Sequence, residues 1–311
     1  MIKLLAVAGP TATGKSALAI RLAQALGGEV ISGDSTQVYR GMDIGTAKAS
    51  REEMEGVPHH LIDILDITEP FSAGSFAELG AEIAEDICRR GRVPIIAGGT
   101  GLYIDALTGG NMLSETADSD ETVRASLMAK AESEGAQALH AYLATIDPQA
   151  AEEIHPNNVK RVARAIEIYL VTGKTKTELN KEKRVQSRFD RCVILLECPD
   201  RELLYNRINH RVDIMLEKGL LEEAYGLWKR GLGDTPTAGQ AIGYKELFPY
   251  FTGDCTLEQS VEQIKKATRN YAKRQITYFK RMEGAVRLDC TLPKDELYER
   301  AYSLATDFLK D

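Results

Sequence analysis

The sequence predicts an α/β fold, a parallel sheet wound with helices and interrupted by a helical insertion. Two observations predict it. Apolar strand patterns at Leu4 to Ala8, Glu29 to Ser32, Val93 to Ala97 and Val193 to Glu197 each lead through a polar or Gly-rich turn into a helical pattern. Strands alternating with helices pair in parallel, and such sheets place ligands at the carboxyl ends of their strands. Between Asn111 and about Ser187 the strand signal vanishes, leaving helical segments at Glu121 to Glu134, Ala136 to Thr145 and Val159 to Val171 and a polar run from Thr172 to Ser187. Residues 1–112 and 188–311 are expected to form the core, and 113–187 the insertion. At 311 residues, 43% hydrophobic and 27% charged, the chain is long enough for a substantial core.

The first strand runs into Gly9-Pro10-Thr11-Ala12-Thr13-Gly14-Lys15-Ser16, and an amphipathic stretch from Ala17 to Leu26 follows. This is a phosphate-binding loop in its strand-loop-helix setting, which makes the core one of the P-loop nucleoside-triphosphate-hydrolase-like type. Its glycines let backbone N–H groups curl around anionic oxygens, and the helix N-terminus adds a positive dipole end. Lys15 supplies a mobile charge, and Ser16 offers a hydroxyl to Mg2+. The loop predicts a bound diphosphate or triphosphate without saying which.

The second strand ends at Gly33-Asp34-Ser35, which puts a carboxylate across the cleft from the phosphates. Asp34 is a candidate base for an acceptor, or else a second-sphere magnesium ligand or helix cap. The third strand leads to Gly98-Gly99-Thr100-Gly101, where Ile104 replaces the last glycine of a dinucleotide fingerprint. Its glycines allow close approach to a flat or anionic ligand, with Thr100 the polar side chain offered; a tight strand-to-helix turn is the alternative. After the fourth strand, Asp200 has the signature of a helix N-cap. Arg207 and Arg211 follow one helical turn apart, suited to a leaving phosphate or to a solvated face.

A formal net charge of −7 excludes a protein that coats nucleic acid indiscriminately, so any contact must come from local basic stripes. At about 100° per residue, Ile264, Ala267, Tyr271, Tyr278 and Met282 share one face of a helix, with Lys266, Arg269, Lys273 and Lys280 opposite. On the insertion, Lys160, Arg161 and Arg164 share one side of a helix that Asn157 or Asn158 would cap. Two basic helices beside a phosphate cleft fit a looped or single-stranded nucleic acid. The five cysteines are odd in number and form no CxxC pair, and His59-His60 has no third ligand at metal spacing. No apolar run approaches bilayer length, so the chain is read as a reduced, cytoplasmic protein with no membrane partner.

These motifs resemble the bacterial tRNA dimethylallyltransferases, also called tRNA isopentenyltransferases. The resemblance runs nearly end to end, through residues 9–16, Asp34 to Tyr39, Gly41 to Lys48, Pro58 to Asp63, Gly98 to Tyr103, His155 to Asn157, Ala241 to Tyr244 and Ala272 to Gln275. It implies transfer of a dimethylallyl group from dimethylallyl diphosphate to the exocyclic amine of the adenosine 3′ of the anticodon in certain tRNAs. The phosphate loop, including Gly9, Thr11, Ala12, Thr13, Gly14, Lys15 and Ser16, would then hold the diphosphate with Arg211 as a second clamp. Asp34 would be the general base, with Thr100 positioning the amine. Asp34, Ser35, Thr36 and Gln37 and Lys160, Arg161, Val162, Ala163 and Arg164 match tRNA-contacting segments, while Lys266, Arg269 and Lys273 are added from periodicity alone. The partner would be the tRNA anticodon stem-loop, and nothing demands more than a monomer. The sequence departs from the family pattern over Asn111 to Ser119, and it ends without the zinc-finger extension of eukaryotic relatives, which implies a bacterial-type enzyme. Competing readings are a prenyltransferase acting on free adenine nucleotide and a small-molecule kinase. An RNA-binding GTP switch is excluded because Asn180-Lys181 has Lys183 where a guanine-binding Asp belongs.

Overall fold

The computed structural model describes residues 1–108, 117, 119–181 and 188–310. In chain order the first elements are β1 (Ile2–Ala8), α1 (Lys15–Leu26), β2 (Gly28–Ser32), β3 (His59–His60), α2 (Ala73–Arg89), β4 (Val93–Gly98) and α3 (Gly101–Thr108). Helices α4 (Glu121–Glu134), α5 (Ala136–Ile146), α6 (Pro148–Glu153), α7 (Val159–Thr172) and α8 (Lys176–Lys181) follow. The chain returns through β5 (Phe189–Glu197), α9 (Arg201–Glu217), α10 (Leu220–Lys229), α11 (Phe248–Phe251), α12 (Leu257–Phe279), β6 (Ala285–Asp289) and α13 (Lys294–Lys310).

The six strands form one sheet in the order β3-β2-β4-β1-β5-β6, and every pairing is parallel. This is the wound α/β core expected. Strand β1 lies inside the sheet between β4 and β5, and Leu4 to Ala8 are wholly buried, which is why it reads as an unbroken apolar run. The strands that sequence patterning missed are the edges. Two-residue β3 is too short to show a period, and Val286 and Arg287 of β6 face solvent.

Two compact units emerge, one comprising Met1–Ser72, Glu78–Ile104 and Arg188–Asp311, the other Ala73–Ala77 and Asp105–Ser187. In the first, Leu5, Val7, Leu22, Ile95, Ile194, Leu204 and Ile208 belong to a common core. Buried Glu29 on β2 accepts from Arg90 and pairs with His60, whose Nε2 lies 2.7 Å away. Arg90 first, then His60, hold its carboxyl down to about 2 against the opposing cost of desolvation.

In the second unit Leu127, Leu139, Leu143, Val162 and Ile166 form the core. Fully buried Glu167 accepts from the Asp120 N–H at 2.9 Å and pairs with Arg124 and Arg164. The polar run after α7 begins with helix α8, tied down where Asp147 accepts from the Thr177 N–H and hydroxyl. Of Asn111 to Ser119 only Ala117 and Ser119 are among the described residues, and the end of the polar run, 182–187, lies outside them. Among the described residues no helix is long and apolar enough to cross a membrane.

Candidate active site

The loop after β1 turns back on itself through backbone that L-residues rarely adopt. Ala12 has φ 64° and Gly14 φ 87°, the left-handed backbone from which anion-binding nests of successive N–H groups are built. Gly9 has a packing reason to be glycine, because a Cβ there would lie 2.4 Å from the Leu196 carbonyl oxygen on β5. Within the loop the Thr13 hydroxyl donates to the Pro10 carbonyl at 2.8 Å and the Lys15 ammonium donates to the same oxygen at 2.6 Å. The exposed Ser16 side chain stands in the first turn of α1.

Three charged groups converge beside this loop. Burial pushes the Lys15 ammonium down to about 7, Arg211 repels it further, and Asp34 works in the opposite direction. Arg211, from α9, is likewise lowered by desolvation and supported by Asp34. Asp34 Oδ1 accepts from the Thr36 N–H at 2.9 Å and the Thr36 hydroxyl at 2.6 Å, which fixes the carboxylate and leaves Oδ2 without a partner among the described residues.

Asp34 and Thr100 are brought together by the close approach of their turns. A Cβ on Gly98 would lie 2.2 Å from the Gly33 carbonyl oxygen, and the Thr100 N–H donates to that oxygen at 3.3 Å. Thr100 Oγ1 is buried with no well-formed hydrogen bond among the described residues, and the Tyr271 phenol lies beside it. Burial and then the charge of Asp34 raise Tyr271 to about 12.

Asp34, Thr36, Thr11, Arg211 and Tyr271 line a cavity of about 280 Å³ whose other walls include apolar Ile208, Val212, Met215, Ile242 and Ile264. Lys245 and Arg274 also border it. An anion cradle, a carboxylate and an apolar wall therefore meet in one place. This suits a ligand with a charged head and a short hydrocarbon body.

One organising residue was invisible to motif reading. Glu223 of α10 accepts from the backbone N–H groups of Asp43, Ile44 and Gly45 at 2.9–3.1 Å and from the Tyr244 hydroxyl at 2.7 Å. It anchors the loop whose Gly45 and Thr46 border the cavity. No local signal distinguishes it from an ordinary acidic residue in a helix first turn.

Several sequence expectations need correction. The glycines of the Gly98–Gly101 turn admit protein rather than ligand, since Cβ atoms on Gly99 and Gly101 would lie 2.2 Å from the Gln275 amide nitrogen and 2.4 Å from the Tyr278 ring. Arg207 and Arg211 do not act as a pair, because Arg207 turns to the Cys290 sulfur at 3.3 Å. Helix α12 runs from Leu257 to Phe279, and its buried face is rotated from the expected one to include Ala272, Gln275 and Phe279. That rotation leaves Lys266 and Lys273 exposed but directs Arg269 to Asn209 Oδ1 at 2.5 Å. On α7 the Val162 and Ala163 side chains are wholly buried and Arg164 is engaged by Glu167, so Lys160 and Arg161 are the exposed basic side chains there. Asn158 occupies the N-cap position without a side-chain cap bond. The Gln37 amide faces inward, accepting from Ser32 at 2.8 Å and donating to the Thr46 carbonyl at 3.2 Å; Ser35 borders the cavity. Asp200 caps α9 as expected. The described residues contain no group of three His, Cys, Asp or Glu side chains arranged to hold a metal ion.

Residues 37–282 match the family model described as IPP transferase. The chain belongs to this family. A tRNA dimethylallyltransferase of Geobacillus thermodenitrificans is 49% identical over 292 residues, covering 94% of this chain and 92% of its own. One from Bacillus subtilis is 48% identical over 287 residues, covering 92% and 90%. The crystal structure of a tRNA isopentenylpyrophosphate transferase from Bacillus halodurans superposes with a TM-score of 0.73 at 44% identity, covering 100% of this chain and 97% of that one. A eukaryotic dimethylallyltransferase described as acting on tRNA gives 0.84 at 34% identity, covering 100% and 80%. The phosphate loop and Asp34 lie ahead of the segment that the family model matches.

Proposed function

We propose that this chain transfers a dimethylallyl group from dimethylallyl diphosphate to the exocyclic amine of the adenosine 3′ of the anticodon, in tRNAs that read codons beginning with U. The observation that carries the reading is the Asp34 carboxylate, fixed through one oxygen, at an apolar-walled cavity beside the anion cradle. The loop N–H groups, Lys15 and Arg211 hold the diphosphate and stabilise the charge that develops as it leaves. The amine nitrogen attacks the allylic carbon, and the carbon–oxygen bond breaks with its electron pair leaving on the diphosphate. Asp34 accepts the proton that the amine gives up. Thr100 Oγ1, buried and poorly satisfied, would help to orient the amine. The target base must leave its stack to enter such a cavity.

The residues present fit Mg2+. Magnesium keeps waters and substrate oxygens and takes few protein ligands, so the exposed Ser16 hydroxyl at the start of α1 would suffice with the diphosphate. A bound ion would neutralise charge on the diphosphate. The anticodon stem-loop contacts belong to the exposed side chains of Lys160, Arg161, Lys266 and Lys273 and to the Asp34–Gln37 turn, and the second unit serves as a tRNA-contacting domain. The reading includes a cytoplasmic enzyme that acts as a monomer.

The test is incubation with Mg2+, unmodified tRNA and labelled dimethylallyl diphosphate, with AMP and ATP as acceptors in parallel. Label in tRNA alone is expected. Label in AMP or ATP and none in tRNA would overturn the reading in favour of a free-nucleotide prenyltransferase.

A further inference from the structure

Among the buried polar side chains that this mechanism leaves unused, Gln275 of α12 is placed most consequentially. It is 5% exposed, and its two ends reach two different turns. Oε1 accepts the Thr11 N–H of the phosphate loop at 2.9 Å, and Nε2 donates to the Gly99 carbonyl, next to Thr100, also at 2.9 Å. One helical turn earlier the Tyr271 phenol interacts with both Thr100 and Gln275. A Cβ on Gly99 would lie 2.2 Å from Nε2, so the amide fills the space that a side chain would occupy.

The ladder between β1 and β4 ends at Ala8 and Gly98. The Gln275 amide joins the two turns past the end of the ladder. We infer that Gln275 is a positioning residue for the transfer: by bridging Thr11 and Gly99 it fixes the separation between the diphosphate cradle and Thr100, and hence between the breaking bond and the acceptor amine. The inference rests on the function proposed above. Aligned transfer reactions are sensitive to such spacing, since a displacement of about 1 Å can cost on the order of 100-fold in rate.

Gln275→Glu and Gln275→Met test it. Ionised glutamate still accepts from Thr11 but cannot donate, and it sets a negative oxygen against the Gly99 carbonyl; protonated, it restores both bonds. Methionine fills the space without either bond. At pH 8 both variants are expected to lose roughly 10- to 100-fold in kcat, with dimethylallyl diphosphate and tRNA affinities within about threefold of the parent. As pH falls, the glutamate variant should recover relative to the parent while the methionine variant does not. Unchanged kcat, or a loss matched by weaker substrate binding or by the unfolded fraction, would overturn the inference. Should both variants fail to fold, amide exchange in the parent decides: the Thr11 N–H must be protected without ligand, and exchange at open-loop rates would refute the bridge. A parent that prenylates no tRNA would instead sink the function reading, while Thr11 protection, lost in the methionine variant, still reports on the bridge.

Discussion

Burial and Arg211 hold Lys15 down to about 7, so its charge titrates near neutrality, and an arriving diphosphate draws it back toward the ordinary lysine range. Below pH 7 the ammonium is charged before and after binding, and affinity is flat until the phosphate itself takes up a proton near pH 6. Above pH 7 the free lysine is neutral and must gain a proton on binding. Each further pH unit then costs about 1.4 kcal/mol, or tenfold in affinity. Between pH 7 and pH 9 the dimethylallyl diphosphate affinity should therefore fall roughly 50-fold, about 2.3 kcal/mol, because half the lysine is still charged at pH 7. Calorimetry without tRNA, in two buffers of unlike ionisation enthalpy, measures this directly. Uptake should rise from about half a proton at pH 7 toward one proton at pH 8.5. Lys15→Arg keeps the charge at every pH and should abolish both the uptake and the slope. A parent protein with flat affinity to pH 9 and no proton uptake would refute the account of Lys15.

Four further outcomes are expected. Asp34→Asn should lower the single-turnover rate by about 100- to 10,000-fold without weakening tRNA binding, and retention of most of the parent rate would remove Asp34 from the role of base. Glu29→Gln should cost about 2 kcal/mol at neutral pH, after allowing for the screening of Arg90, which is 40% exposed. Because the Glu29 pKa is depressed on folding, that stability is present above pH 4.5 and disappears as pH falls toward 2, so melting curves of parent and variant should converge in acid. Glu223→Gln should destabilise by about 2 kcal/mol and speed amide exchange at Asp43 to Gly45, since a charged acceptor of several backbone bonds is lost. Lys160→Ala and Lys273→Ala should each reduce the salt dependence of tRNA binding by about one unit of slope while pyrophosphate binding stays constant, and an unchanged slope would exclude a phosphate contact.

The phosphate loop, the interior strands and the insertion helices were legible in the sequence because each is a local property. The loop needs glycines, lysine and a hydroxyl at fixed spacing, and a buried parallel strand needs an unbroken apolar run. Helix α4, Glu121–Glu134, matches the residues its periodicity indicated, and Asp120 caps it. What the sequence left open depends on residues far apart in the chain. The bridge from Gln275 to Thr11 spans 264 positions, and Glu223 reaches back about 180 to hold Asp43 to Gly45. No window of adjacent residues records such contacts.

The Gly98–Gly101 turn shows the same division. Its composition announced that something must approach closely, but whether that neighbour is a ligand or the protein's own Gly33, Gln275 and Tyr278 was decided only by the packing of α12 and β2 against it. Helix α12 offered a periodicity that placed its charges approximately, and the helices packed on it fixed which of them reach water. The sequence by itself therefore determined which chemical groups are available and on which elements they ride. The tertiary structure decided which of them meet, because burial, hydrogen-bond geometry and the crowding of a Cβ are set by the neighbours that folding brings within a few ångströms.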